Sequence, residues 1–250
     1  MITDPEGTVL ALFAAFCRIG ACMMVLPGFS SARVPMIVRL LVSLAVSMAI
    51  LPVLWDVIYP RVSGTQTAYI QLVFSEFIIG TMYGLIARFY VVGLQFAGAI
   101  LSMSIGFSAP GAPDVLEDTA ENQLTNLISF GGLMLLFAMD FHHIIFRALV
   151  DSYTTMPLGG MPESQKMLIT LTDTLVQTFK LMLRLASPFI IFGLMFNVGI
   201  GLINKLAPQI PVFFISTPYL LVGGLFLVYL SIAAMVRQFA EFFPSVFVGG

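Results

Sequence analysis

Apolar residues run almost unbroken through positions 9–27, 37–55, 70–105, 124–150, 175–203 and 212–236, with proline, glycine or charged residues at most of the breaks. The pattern predicts six helical regions, each long enough to be a hydrophobic helix. A hydrocarbon core about 30 Å thick is crossed by about 20 apolar residues. The third run is longer: about 36 residues at about 1.5 Å each would extend roughly 54 Å, so it must protrude, bend or break. Gly93, Gly98 and Ser102 are the candidate break points, because small side chains tolerate a kink when neighbouring helices compensate. Between runs five and six stands LAPQIP, residues 206–211. Pro208 disfavours helical backbone in the residue before it, so these two runs are expected to form an antiparallel hairpin.

Composition turns the helices into membrane spans. Of 250 residues, 59% are hydrophobic and 10% charged, against about 25% charged in soluble domains. The fold class is therefore all-α, an integral membrane protein built of helical hairpins. A net charge of −2 gives no nucleic-acid footprint. The first residues, MITDPEG, carry acids where a signal peptide needs basic residues, so the first apolar run is expected to be retained. Cys17 and Cys22 are five apart on different helical faces and read as small core residues. Basic residues do not orient the chain: Arg33 and Arg39 favour an inside first loop, but Arg61, Lys166 and Arg237 would then lie outside.

Charges also fall in unfavourable places. Arg18, Glu76, Arg88, Asp140, Arg147, Lys180 and Arg184 lie within or near the margins of apolar runs, where each central charge costs about 2.5–3.5 kcal/mol on insertion scales. Snorkelling at helix ends suits Arg18, Arg147 and Lys180. The others need protein or water around them. In the third run Arg88, Gln95 and Ser102 recur every seven residues with Val92 and Ala99 between, a polar and small-sided stripe expected on an assembly or pore face with Glu76. Gly80 and Gly84 form a small-xxx-small pair suited to close helix approach. One chain has limited interior for this polarity, so an obligate assembly is expected; the competing reading is a secondary transporter using Glu76 or Asp140 for proton coupling.

No catalytic constellation stands out. DFHH, Asp140 to His143, invites a metal reading, yet adjacent histidines on a helix point in different directions and no third ligand has recognisable spacing, so no metal or other cofactor is expected. GFSAPG lacks the second glycine of G-x-S-x-G, which leaves Ser108 without the setting of a nucleophile and argues against an enzyme. The uncharged segment SIGFSAPGA is followed by Asp114, Glu117, Asp118 and Glu121; acids there complement the start of a helix near Gln123, with Asp118 or Thr119 as its cap.

The order of these motifs resembles the FliR family of export-gate proteins in flagellar type III secretion, with relatives in injectisomes. RIGACMMVLPGFSSARVP at 18–35 looks like the family's opening and EFIIGTMYGLIARFYVVGLQFAGAI at 76–100 like its long third helix. The most specific match is GLINKLAPQIPVFFISTP at 201–218, through Gly201, Lys205, Ala207, Pro208, Gln209, Val212 and Phe213. Pro157-Leu158-Gly159 is also similar to the family. Ser104 in place of a common Gln, DFHH in place of N-G-H-H, and Leu220 at an often basic position depart from it.

The resemblance implies one export-gate domain over 1–250, its 1–160 part FliP-like with four helices and its 161–250 part a FliQ-like hairpin. It implies partners of the FliP, FliQ, FlhB and FlhA types, membrane lipid, unfolded exported flagellar proteins, and a place in the bacterial inner membrane at the flagellar basal body. Met103, Ser104, Ile105, Gly106, Phe107, Ser108, Ala109, Pro110 and Gly111 would then form the pore plug, with Ile105 and Phe107 excluding water. Asn204, Lys205, Pro208, Gln209 and Phe213 would carry the hairpin motif.

Overall fold

The computed structural model describes residues 4–31, 34–62, 65–107, 123–156, 158–159 and 164–248. All regular structure among them is helical: α1 (Pro5–Val25), α2 (Met36–Val62), α3 (Gln66–Ser104), α4 (Gln123–Ala138), α5 (Phe141–Thr155), α6 (Ser164–Leu206) and α7 (Val212–Val248). By length and composition α1, α2, α3, α6 and α7 can each cross a membrane, and α4 with α5 makes a sixth span if the broken pair counts as one. The chain is thus an all-helical membrane protein.

Two expectations about helix continuity need correcting. The third run does not break at Gly93, Gly98 or Ser102: α3 is one helix of 39 residues, roughly 58 Å at about 1.5 Å per residue. The fourth run, expected as one region over 124–150, is interrupted instead. Asp140 between α4 and α5 has φ 56° and ψ 33°, the only positive φ among the described non-glycine residues. A left-handed residue cannot continue a right-handed helix, and Asp reaches that conformation more readily than most side chains.

The chain divides into two compact units, one of residues 1–90, 140–175 and 244–250, the other of 91–139 and 176–243. The boundaries fall within α3, at the break between α4 and α5, within α6 and within α7.

In the first unit α1 starts with Asp4 as N-cap and Pro5 in the first turn, where its missing N–H removes no helical bond. Ala11, Ala14 and Ala15 of α1 pack with Leu51, Leu54 and Ile58 of α2, Leu72 of α3 and Tyr153 of α5. The partners repeat at three- and four-residue spacing, the signature of one helical face. On α5 the buried Phe141, Ile145, Leu149 and Ser152 follow the same period. Arg39 and Arg61, which gave no clear orientation in the sequence, hold backbone at opposite ends of α2. Arg39 donates to the carbonyls of Ser31 (2.5 Å) and Val34 (2.8 and 3.1 Å), and Arg61 to that of Leu158.

In the second unit Leu101, Ile105, Leu124 and Phe189 form the core, with Phe107, Ile128, Leu227 and Val228 packed against it. The expected hairpin is present. Helix α6 ends at Leu206, two residues before Pro208; Ala207 closes on Ile203 and Ile210 on Ala207 before α7 begins. Phe192 of α6 faces Gly223 of α7, a pairing across the turn that makes the two helices antiparallel.

Candidate functional site

The sequence placed Arg18 at a helix margin, snorkelling to water. The structure overturns this: Arg18 is fully buried, as is Glu76 of α3. The guanidinium donates from Nε to Glu76 Oε2 and from Nη2 to Oε1, both at 2.7 Å. Nη1 donates to Ser152 Oγ at 2.8 Å and Nη2 also to the Met156 carbonyl at 3.2 Å. Its carbon lies 3.8 Å from the centre of the Tyr153 ring. Two parallel bonds match the planar fork of arginine to a carboxylate, and the remaining donors and the ring face complete the enclosure.

Helix spacing explains how the pair comes together. Glu76, Gly80 and Gly84 stand at i, i+4 and i+8, on one face of α3. A β-carbon on Gly80 would lie 2.0 Å from the Arg18 carbonyl oxygen, and one on Gly84 2.8 Å from that of Cys22. Only glycine lets α3 approach α1 so closely, and that approach removes water from around the ion pair. The clue was in the sequence: the carboxylate lies on the same stripe as the two glycines. Glu76, expected on an assembly or pore face, is instead enclosed within the first unit. A proton carrier must exchange with water, and full burial against a guanidinium gives Glu76 no such access within the chain.

The rest of the polar stripe varies along α3. Arg88 is exposed and Gln95 half-buried. Ser102 is fully buried in the second unit, with its hydroxyl 3.3 Å from that of Thr125. The seven-residue repeat keeps the three near one side of α3, but the surroundings change over its length.

The expected plug lies partly outside the described residues: Ser108, Ala109, Pro110 and Gly111 are not described. Its beginning is well defined. The Phe107 N–H bonds to the Ser102 carbonyl at 2.9 Å and the Gly106 N–H to that of Met103 at 3.3 Å, while Gly106 has φ 73°. These two bonds around a left-handed glycine make a Schellman cap that ends α3. Gly106 therefore terminates a helix by satisfying its last carbonyls. Ile105 is fully buried, and a β-carbon on Gly224 would meet its side chain at 2.4 Å. Phe107 is half-buried beside the same core, Ser104 bonds back to the Ile100 carbonyl, and Met103 is 79% exposed. Ile105, which the resemblance implied would exclude water as part of the plug, is packed with Leu101, Leu124 and Phe189 in the second unit's core.

In the hairpin motif Asn204 is half-buried, and Lys205, Pro208, Gln209 and Phe213 are exposed. At the other end of the chemistry considered from sequence, Asp140, His142 and His143 come together, because the helix breaks at Asp140 instead of carrying the three residues around a regular spiral. Their donor atoms lie within 4.8 Å of one another. Spacing along a regular helix did not foretell this cluster; the break at Asp140 produces it.

Comparison with known proteins gives a consistent picture. The sequence model of the family described as bacterial export proteins, family 1, matches residues 9–246. The flagellar biosynthetic protein FliR of Caulobacter vibrioides is 30% identical over 226 residues, covering 90% of each chain. The protein of that name from Escherichia coli is 28% identical, covering 94% of this chain and 87% of its own. That from Aquifex aeolicus is 23% identical over 97% of this chain and 93% of its own.

Proposed function

The chain belongs to the FliR family of bacterial export proteins, membrane-embedded components of flagellar export, and from that premise we propose that it is a gate subunit. It joins FliP-type and FliQ-type subunits in the bacterial inner membrane at the flagellar basal body. Together they enclose a channel for unfolded flagellar proteins, served by FlhA-type and FlhB-type components, and Met103 to Gly111 contributes the seal. The flagellar names of the relatives support a flagellum over an injectisome.

The observation that carries the reading is the end of α3. A seal that opens for substrate needs a fixed root, and the Schellman cap with Ile105 locked in the core supplies one. The residues after Phe107 leave from that root. The outer surface of the hairpin supports assembly as well: Leu194, Val198, Leu202 and Leu206 of α6 stand four apart and are 60–86% exposed, an apolar stripe for helices of partner subunits or for lipid.

Deleting Ser108 to Gly111 while keeping Ile105, Gly106 and Phe107 spares the anchor. In cells carrying the assembled gate, this deletion is expected to raise small-ion leakage while the gate still copurifies with its partners. Unchanged leakage in an intact gate would defeat the sealing role.

A further inference from the structure

We propose that Asp140, His142 and His143 form a zinc-binding site. Asp140 Oδ1 is 3.5 Å from His143 Nδ1 and 3.9 Å from His142 Nε2, and the three donor atoms lie within 4.8 Å of one another. Ligands around a tetrahedral zinc ion with bonds of about 2.0–2.1 Å stand about 3.4 Å apart, so the Asp140–His143 edge already fits, the Asp140–His142 edge needs to close by about 0.5 Å and the edge between the histidines by up to about 1.4 Å. The Asp140 and His143 side chains are 72% and 73% exposed, which gives them room to move.

The backbone contributes a second argument. Asp140 is the N-cap of α5, yet its side chain makes no capping hydrogen bond. Its carboxylate is instead turned toward the two imidazoles, and the left-handed backbone brings it there. The partial positive charge of a helix N-terminus opposes a cation, and the carboxylate offsets it. Arg147, exposed one turn beyond His143, and Asp151, exposed one turn further on, are the other charges on this helix. Two imidazoles and a carboxylate suit zinc better than the harder magnesium or calcium, and three protein ligands leave a fourth position for water. A bound ion would also hold Asp140 in its left-handed conformation.

The test uses the full chain in detergent, without a polyhistidine tag and with Cys17→Ser and Cys22→Ala to remove competing thiolates. Zinc is titrated against a chromophoric chelator. One zinc per chain is expected, with affinity falling at least tenfold in His143→Ala and in Asp140→Asn. Asn tolerates the left-handed conformation, so Asp140→Asn removes the ligand charge without disturbing the turn, and an unchanged melting temperature without metal checks that the fold is kept. Absence of stoichiometric zinc binding, or full affinity in either variant, would overturn the site.

Discussion

Helices α1 and α3 turn half of their most apolar stretch inward, whereas only 22% of the corresponding stretch of α2 and of α6 and 6% of that of α7 is buried. The difference is chemical as well as geometric. Around α1, α3 and α5 the chain hides an arginine and a glutamate and satisfies both from its own side chains and backbone. The hairpin leaves Met195, Leu206, Phe214 and Tyr229 more than two-thirds exposed. In lipid, burying apolar side chains yields little gain, because the surroundings are equally apolar, so close packing and polar contacts hold helices together. The first region has both. The hairpin depends on what surrounds it, either lipid or partner helices.

The largest expected effect comes from opening the ion pair. Glu76→Ala leaves a guanidinium buried without its carboxylate, and removing one member of such a pair costs about 3–5 kcal/mol. The detergent-solubilised chain should show a lowered unfolding midpoint in a denaturant titration, and the cellular level of the protein should fall. Arg18→Met combined with Glu76→Leu removes both charges and should recover much of the loss. Equal losses in the single and double variants would mean that the pair does not stabilise the first region.

The second comparison uses one substitution at two glycines. Gly80→Ala drives a methyl group into the Arg18 carbonyl, where overpacking costs about 1–3 kcal/mol. Gly199→Ala on α6 meets nothing within 4 Å, and the better helix propensity of alanine should leave stability unchanged or raise it by up to about 1 kcal/mol. If the two variants melt alike in the isolated chain, the contrast between a closely packed region and an open hairpin fails. If Gly199→Ala is neutral alone but weakens copurification of partner subunits, the open face is a docking face, as the proposed gate requires.

Much of this was legible before the structure. Six hydrophobic regions, the hairpin at LAPQIP and the close-approach glycines follow from apolar run length, proline chemistry and four-residue spacing, all of which act locally. The misreadings involved distance in sequence or a single backbone angle. Arg18 and Glu76 are 58 residues apart, and nothing along the first apolar run names a partner for a charge at its middle. The break at Asp140 depends on one left-handed residue inside a strongly apolar stretch, where hydropathy continues across the interruption. Gly106 and Ile105 entered the plug only through the family resemblance, and nothing in the sequence signalled that the glycine ends a helix; the cap bonds show that it does and that it holds its neighbours in place.

The smallest effect lies at the start of α1. Asp4 accepts a hydrogen bond from the Gly7 N–H at 3.1 Å and another from the Tyr59 hydroxyl at 2.9 Å. These bonds, the Gly7 N–H first, favour the carboxylate and hold its pKa below the usual value. A carboxylate with a depressed folded-state pKa contributes stability above its unfolded-state value, about 3.9, and loses that contribution as pH falls through the folded value. Asp4→Ala should therefore lower the melting temperature at neutral pH by no more than about 4 °C, and the gap from the parent chain should narrow as pH falls below about 4. Asp4→Asn keeps a capping oxygen but no titrating charge, so it should lie between the two at pH 7. A gap that stayed constant from pH 7 down to acid would assign the effect to helix capping alone. It would then leave the Asp4–Tyr59 contact between α1 and α2 without electrostatic weight, and the strong charge coupling of the first region would be confined to Arg18 and Glu76.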